Sequence, residues 1–88
     1  MRPLIKLTDR FTETSVGDEI VIMRLDNGEF FSLTNTAAAV WRLIDGRRDC
    51  HAVLGALATQ YTVDEAEIAE DVDELIAKLR KTGILDDG

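Results

Sequence analysis

The sequence predicts an α+β domain in which a three-stranded antiparallel sheet is followed by three helices. β-branched, aromatic and long aliphatic residues dominate residues 19–33, and Asn27-Gly28, a pair typical of tight hairpin turns, interrupts them. From residue 36 onward, apolar residues recur at the helical period of about 3.6 residues, in three segments separated by capping and turn residues. A chain of 88 residues supports one hydrophobic core, so we expect a single domain over residues 1–88.

The second and third strands are predicted over residues 19–25 and 29–33, joined by a two-residue turn at Asn27-Gly28. The pairs that this turn predicts are Leu25 with Phe30, Arg24 with Phe31, Met23 with Ser32, and Ile22 with Leu33. The first strand has two candidates, residues 4–7 and 11–16, and periodicity does not choose between them.

Both faces of the predicted hairpin are apolar. One face carries Ile20, Ile22, Phe31 and Leu33, and the other carries Val21, Met23, Leu25 and Phe30. Because a sheet with one face in water normally has polar residues along that face, we expect something to cover the second face or to bind along its border. A three-residue loop with a bulge would exchange the two faces.

The first helix is predicted over residues 36–45, with Asn35 or Thr34 supplying a side-chain acceptor at its start and Gly46 following it as the stop. Its apolar face consists of Ala37, Val40, Trp41 and Ile44. This phase makes Trp41 a core residue and not a ligand-stacking residue.

The second helix is predicted to begin after Asp49, a good N-cap. The third begins at Asp64, where Glu67 completes a capping-box-like pair, and it ends at Gly83. The apolar positions are Val53, Leu54, Leu57, Ala58 and Tyr61 in the second helix, and Ile68, Val72, Leu75, Ile76 and Leu79 in the third.

Charge argues against several classes of partner. The formal net charge is −7 and the pI is about 4.5, so a general affinity for nucleic acid or for anionic lipid surfaces is not expected. Residues 62–74 carry seven carboxylates and no base, and Lys78, Arg80 and Lys81 follow. This order complements a helix dipole and predicts a solvated helix face. No apolar run approaches the roughly 20 residues of a membrane span, so we expect a cytoplasmic protein.

The inventory of reactive residues indicates no enzyme, no cofactor and no metal site. Cys50 and His51 are adjacent, so on a helix their side chains diverge by about 100° and cannot form a thiolate-imidazole pair. The helix N-terminus is expected to lower the pKa of Cys50 somewhat. No second cysteine or histidine stands at metal-ligand spacing, and the acidic residues of the third helix lack the pattern of a calcium loop.

The chain resembles the PqqD family, the small leader-peptide-binding proteins also called RiPP recognition elements. In that family a Gly-aromatic-aromatic-x-Leu strand precedes an Ala-rich helix that contains Trp and ends in Asp-Gly. The matching residues are Gly28, Phe30, Phe31, Leu33, Thr36 to Ala39, Trp41, Asp45 and Gly46, then Tyr61, Asp71, Val72, Leu75, Leu79, Gly83, Ile84 and Leu85. Residues 1–16 match the family poorly.

The resemblance implies a non-catalytic protein that binds the leader of a ribosomally made precursor peptide as an added strand beside the third strand. The partner enzyme would be a radical SAM enzyme of a pyrroloquinoline-quinone-type pathway, or the protease and cyclase of a lasso-peptide pathway. The expected peptide-binding residues are Gly28, Glu29, Phe30, Phe31 and Ser32 of the third strand, and Asp71, Val72, Glu74, Leu75, Ile76, Lys78 and Leu79 of the third helix. Ile76 is expected to face the leader, because the other apolar residues of that helix already complete a packed stripe.

The alternative is a winged-helix nucleic-acid-binding or regulatory protein, which the number of strands and helices permits. A nucleic-acid reading helix should be basic, whereas the best candidate here is the most acidic segment of the chain.

Overall fold

Three strands precede three helices in the computed structural model, which describes residues 2–86. The elements are β1 (Phe11–Val16), β2 (Glu19–Arg24), β3 (Phe30–Leu33), α1 (Asn35–Leu43), α2 (Cys50–Tyr61) and α3 (Glu65–Lys81). The strands form one antiparallel sheet in the order β1-β2-β3. The predicted α+β architecture is confirmed.

Of the two candidates for the first strand, Phe11–Val16 forms β1. The earlier candidate instead lies against the C-terminal segment. The Leu7 amide donates to the Ile84 carbonyl at 2.9 Å, and Lys6 forms an isolated bridge with Leu85. Leu4 is fully buried there, so this segment contributes to the core without joining the sheet.

The connection between β2 and β3 differs from the two-residue turn predicted at Asn27-Gly28. Ile22 pairs with Phe31, and residues 25–29 connect the two strands. Gly28 has a φ of +72°, whereas Asn27 does not adopt a positive φ and instead accepts a hydrogen bond from the Glu29 amide through Oδ1 at 3.0 Å. Asn27 thus stabilises the turn through its side chain and not through a left-handed backbone.

The predicted division of the hairpin into two faces is nevertheless correct. The observed pairing of β2 with β3 is shifted by two residues from the predicted pairing. Because side chains alternate with a period of two, each residue keeps its face. Ile20, Ile22 and Leu33 are buried, while Phe30 is 71% exposed and Met23 is 39% exposed.

α1 begins next to the predicted cap but without its hydrogen bond. Thr34 occupies the N-cap position with no side-chain cap bond, and its carbonyl accepts from the Ala37 amide at 3.1 Å. Asn35 follows with a φ of +52°, a left-handed conformation that asparagine tolerates better than most residues. The helix ends at Leu43 and not at residue 45, but the predicted residues Val40, Trp41 and Ile44 are buried.

The start of α2 is confirmed, since the Asp49 side chain accepts from the Ala52 amide at 2.8 Å. At α3 the predicted capping box is wrong, because Asp64 makes no side-chain cap bond and its carbonyl receives the Glu67 amide instead. Tyr61, placed by periodicity on the apolar face of α2, is 44% exposed because α2 ends there and the chain turns away.

Candidate functional site

The outer edge of β3 is open in the part of the chain that the structure describes, because β2 lies between β1 and β3. The Arg24 amide donates to the Glu29 carbonyl at 2.7 Å, so the backbone groups of Glu29 point toward β2. In an antiparallel ladder this direction alternates from residue to residue. Phe30 and Ser32 therefore direct their N–H and C=O groups away from β2, toward the open edge.

An exposed apolar surface borders this edge. Phe30 lies directly opposite Met23 on the outer face of the sheet, and Leu25 follows in the loop with 54% of its surface exposed. Phe30 is 71% exposed, and with Met23 and Leu25 it forms an exposed apolar patch beside the unpaired strand edge. It is a candidate contact for a chain that pairs with the edge.

Packing against α2 fixes the rotation of α3. Cys50 Sγ, at the start of α2, donates to Asp73 Oδ1 at 3.6 Å. Asp73 follows the buried Val72 by one residue, or about 100° around the helix, so α2 covers that side of α3. Ile68 and Leu75 lie on the other side of the buried stripe and are half-buried.

Half-buried apolar residues from three elements extend the core toward the surface. They are Phe31 of β3, Ala37 of α1, and Ile68 and Leu75 of α3, and each packs against the buried cluster. α1 contacts both β3 and α3, whereas no Cα atom of β3 lies within 8 Å of a Cα atom of α3 among the described elements. The edge of β3 and the side of α3 away from α2 are therefore two apolar borders separated by a gap, and α1 packs beneath both of them.

β3 begins near the point where α3 ends. A cavity of about 370 Å³ lies between them, lined by Leu25 and Asp26 of the β2–β3 loop and by Thr82, Gly83 and Ile84 after α3. A second cavity is lined by Asn35, shortly after β3, and by Gln60 and Tyr61, shortly before α3. β3 therefore starts near the end of α3 and ends near its start, so the strand and the helix run in opposite directions.

The predicted site residues divide by exposure. Gly28, Glu29, Phe30, Ser32, Asp71, Glu74 and Lys78 are exposed, Phe31 and Leu75 are half-buried, and Val72, Ile76 and Leu79 are buried. The exposed and half-buried residues can contact a partner directly. The buried ones can only support those contacts from below.

The expectation that Ile76 faces the leader is wrong for this structure, because Ile76 is 1% exposed. The apolar residues of α3 span an arc wider than one packed stripe, and periodicity alone does not locate the centre of the contact. Packing by α2 turns the arc so that Val72, Ile76 and Leu79 form its buried centre. Leu75 and Ile68 then occupy the border position that Ile76 was expected to hold, and Ile68 was missing from the predicted site.

Cys50 also differs from expectation. Burial raises the pKa of the Cys50 thiol, and the hydrogen bond to Asp73 and the charge of that carboxylate raise it further. These effects outweigh the helix N-terminus that was expected to lower the pKa, so little reactive thiolate forms at neutral pH. His51 next to it is exposed.

A family model described as coenzyme PQQ synthesis protein D (PqqD) matches residues 19–85. The chain belongs to the PqqD family. The resemblance drawn from Gly28, Phe31, Trp41 and the later residues is thereby confirmed, and residues 1–18 lie outside the matched region.

Among relatives of this PqqD-family chain, a PqqA binding protein of Rhodopseudomonas palustris (strain TIE-1) is 43% identical over 49 residues, which is 56% of this chain and 48% of the relative. A protein of the same name from strain BisB5 is 41% identical over 49 residues, with the same shares of each chain. The chain thus spans about half the length of the curated relatives it matches.

A solved structure described as TbiB1 in complex with the TbiA(beta) leader peptide has the same fold. Its TM-score is 0.83 at 21% identity, over 96% of this chain and 98% of that one. No helix within residues 2–86 is both long and apolar enough to cross a membrane.

Proposed function

We propose that this PqqD-family chain binds the leader segment of a ribosomally made precursor peptide and performs no chemistry of its own. The observation that carries the proposal is the open edge of β3, whose outward backbone groups lie beside half-buried apolar residues of the same domain. The names of the relatives, PqqA binding protein, and the leader peptide bound to the structural neighbour support it.

Strand addition is the mode of binding that this edge favours. A guest strand pairs with the N–H and C=O groups of Phe30 and Ser32, and each hydrogen bond contributes a net of about 0.5–1.5 kcal/mol. These bonds do not depend on the sequence of the guest. They hold an extended segment of any sequence in place, and side-chain contacts select among segments.

Side chains of the guest alternate between two apolar surfaces. Those that point inward meet Leu75 and Ile68 across the gap above α1, and those that point outward lie beside Phe30. Apolar guest residues fit both surfaces. Asp71, Glu74 and Lys78 border the inner surface and add charge contacts worth about 0–1 kcal/mol each at an exposed site.

The benefit to the pathway is proximity. A protein that holds a precursor and also contacts a modifying enzyme raises the effective concentration of substrate at that enzyme. The enzyme class that we propose is a radical SAM enzyme or a leader protease and cyclase, and we place the complex in the cytoplasm.

The first test compares two ligands by fluorescence anisotropy at physiological salt. The probes are a labelled leader from the precursor peptide encoded nearest to this gene and a labelled short DNA duplex. We expect saturable binding of the leader and none of the duplex, because the protein is strongly acidic. Salt-sensitive binding of the duplex, tighter than that of the leader, would instead favour the winged-helix nucleic-acid-binding alternative.

A matched pair of variants tests the location of the site. Leu75→Asp places a carboxylate at the apolar border, so leader affinity should fall at least about tenfold, or ~1.4 kcal/mol. Ala77→Asp adds the same charge to the same helix at an exposed position on its far side and should leave affinity within about twofold. Circular dichroism checks that both variants fold, and equal affinities would place the peptide elsewhere.

A further inference from the structure

Charge is distributed unevenly along the side of α3 that faces away from α2. Around Asp71 the exposed charged residues are carboxylates only, with Glu67 one turn before and Glu74 nearly one turn after. Lys78 is the next exposed charge on that side toward the C-terminus. Neither Asp71 nor Lys78 is in an ion pair with a residue that the structure describes.

The charged residues at the end of the sheet do not offset this uneven distribution of charge along α3. At the start of β3, near the end of α3, Arg24 pairs with Asp26 at 2.7 Å, and Glu29 is exposed. Asp9 and Arg10 line the cavity at the same end, and Lys78, Arg80 and Lys81 lie in the last turn of α3, so charges of both signs are mixed there. The Asp71 end is strongly negative, so the border of α3 changes from negative to mixed charge along its length, with a cation on the helix at the second end.

The spacing of these residues along α3 predicts which positions of a bound strand lie opposite each charge. Asp71, Leu75 and Lys78 follow one another along one side of α3, with Leu75 about 6 Å beyond Asp71 and Lys78 about 10 Å beyond it along the axis. Inward-pointing residues of a strand recur about every 6.7 Å. Three successive inward positions of a guest therefore lie opposite Asp71, Leu75 and Lys78 in turn, and the long Lys78 side chain takes up the remaining offset.

The direction of the guest follows from that of β3. A strand that adds antiparallel to β3, as in the rest of this sheet, runs in the same direction as α3, because β3 and α3 run in opposite directions. Its earlier residues then lie beside Asp71 and its later residues beside Lys78.

We infer that the leader recognised by this chain carries a basic residue, an apolar residue two positions later and an acidic residue two positions after that. This inference rests on the proposed function and names the class of peptide that the site takes. Opposite charges favour this order, and the reversed order places like charges together at both ends. Asp71 and Lys78 are accordingly specificity-determining residues.

Selection from an mRNA-displayed library of random peptides tests the inference, and it does not require the natural precursor to be identified. The wild-type chain is compared with the double variant Asp71→Lys, Lys78→Glu, which keeps the net charge and changes only exposed positions. Wild type should enrich the order basic, apolar, acidic at alternate positions. The double variant should enrich the reversed order.

Two synthetic peptides with the two charge orders and the same apolar residues then quantify the effect. At low ionic strength we expect the wild-type chain to prefer its own order about fivefold or more, with a smaller preference at high salt. The double variant should show the opposite preference.

The outcomes separate the two proposals. Enriched peptides that share apolar positions but no charge order, or the same order for both proteins, would overturn the charge inference and leave leader binding intact. A selection that enriches no common pattern with either protein would overturn the proposed function itself.

Discussion

At the scale of single residues, Trp41 joins the sheet to the helices. Its side chain is fully buried, the Phe11 ring of β1 lies 5.5 Å away edge-on at 69°, and Lys6 Nζ lies 4.2 Å above the indole centroid. The indole N–H has no hydrogen-bond partner among residues 2–86, so packing and the cation account for its contribution.

We expect Trp41→Ala to lower the free energy of unfolding by about 3–5 kcal/mol, which is a large part of the stability of a domain of this size. Urea denaturation measures the change. Tyr61→Ala is the control, because Tyr61 is 44% exposed, and it should cost less than about 1 kcal/mol. Equal costs for the two variants would contradict the packing described for α1.

A second residue-scale feature is the turn after α1. Asp45 Oδ1 accepts from the amides of Arg47 at 2.9 Å and Arg48 at 3.1 Å, and Oδ2 pairs with Arg48 Nη1 at 3.0 Å. These hydrogen bonds, that from Arg47 first, hold the pKa of Asp45 below its ordinary value of 3.8. A lowered folded-state pKa stabilises the fold above the unfolded-state value, and this stabilisation is lost as pH falls through the folded-state value.

Asp45→Asn keeps an acceptor and removes the charge, so it should lower the urea midpoint at neutral pH. The difference from wild type should shrink below about pH 4, as the wild-type carboxyl becomes neutral too. Denaturation curves from neutral pH to about pH 3 measure this, with Glu70→Gln, at an exposed position outside the ion pairs described, as a control for losing a surface carboxylate. A difference independent of pH would mean that the charge of Asp45 does not stabilise the turn.

At the scale of elements, β3 shows how a strand presents an edge without losing its ladder. The N–H of Ser32 points outward. Proline at this position therefore lacks the N–H that a guest strand would use, but it breaks no hydrogen bond to β2. Ser32→Ala removes the hydroxyl and keeps the N–H.

We therefore expect Ser32→Pro to weaken leader binding at least about tenfold, and Ser32→Ala to leave it within about twofold. Calorimetric titration gives the affinities, and thermal melting shows whether each variant folds. If Ser32→Pro folds and binds as tightly as wild type, strand addition at this edge is excluded.

NMR amide chemical shifts, followed during a leader titration, report on every residue of β3 and α3 at once. Perturbations should concentrate in residues 28–33 and 68–80. If they gather instead around Arg47, Cys50 and His51, the peptide docks elsewhere.

At the scale of the whole molecule, the segment before β1 completes a core that the matched family region does not cover. Leu4 is 1% exposed, its amide donates to the Arg48 carbonyl at 2.9 Å, and Ile5 accepts from the Asp86 amide at 2.9 Å. Segments from the two ends of the described chain thus pack together beside α1.

Leu4→Ala should therefore destabilise the domain by about 2–5 kcal/mol, although Leu4 lies outside the region matched by the family model. Ile5→Ala, the adjacent residue at 43% exposure, should cost less than about 1 kcal/mol. Urea denaturation of the two variants gives the comparison. A negligible cost for Leu4→Ala would show that the N-terminal segment is not part of the cooperative unit.

The sequence by itself determined the features that depend on local chemistry and period. Alternation predicted which residues share a face of the hairpin, Asp49 predicted the start of α2, and the spacing of Val40, Trp41 and Ile44 predicted a buried face. These predictions are correct because a face or a cap depends on residues that are close together in the chain. Even the two-residue error in hairpin register left the faces intact, since side chains alternate with the same period.

The tertiary structure decided which neighbours those faces meet. Periodicity assigned five apolar residues to α3, but only packing by α2, with Cys50 against Asp73, buried Ile76 and left Leu75 at the border. The choice between two first strands likewise depended on Leu7 and Lys6 meeting Ile84 and Leu85, near the other end of the described chain. Contacts between elements distant in sequence set the rotation of a helix and the pairing of an end, and no local pattern encodes them.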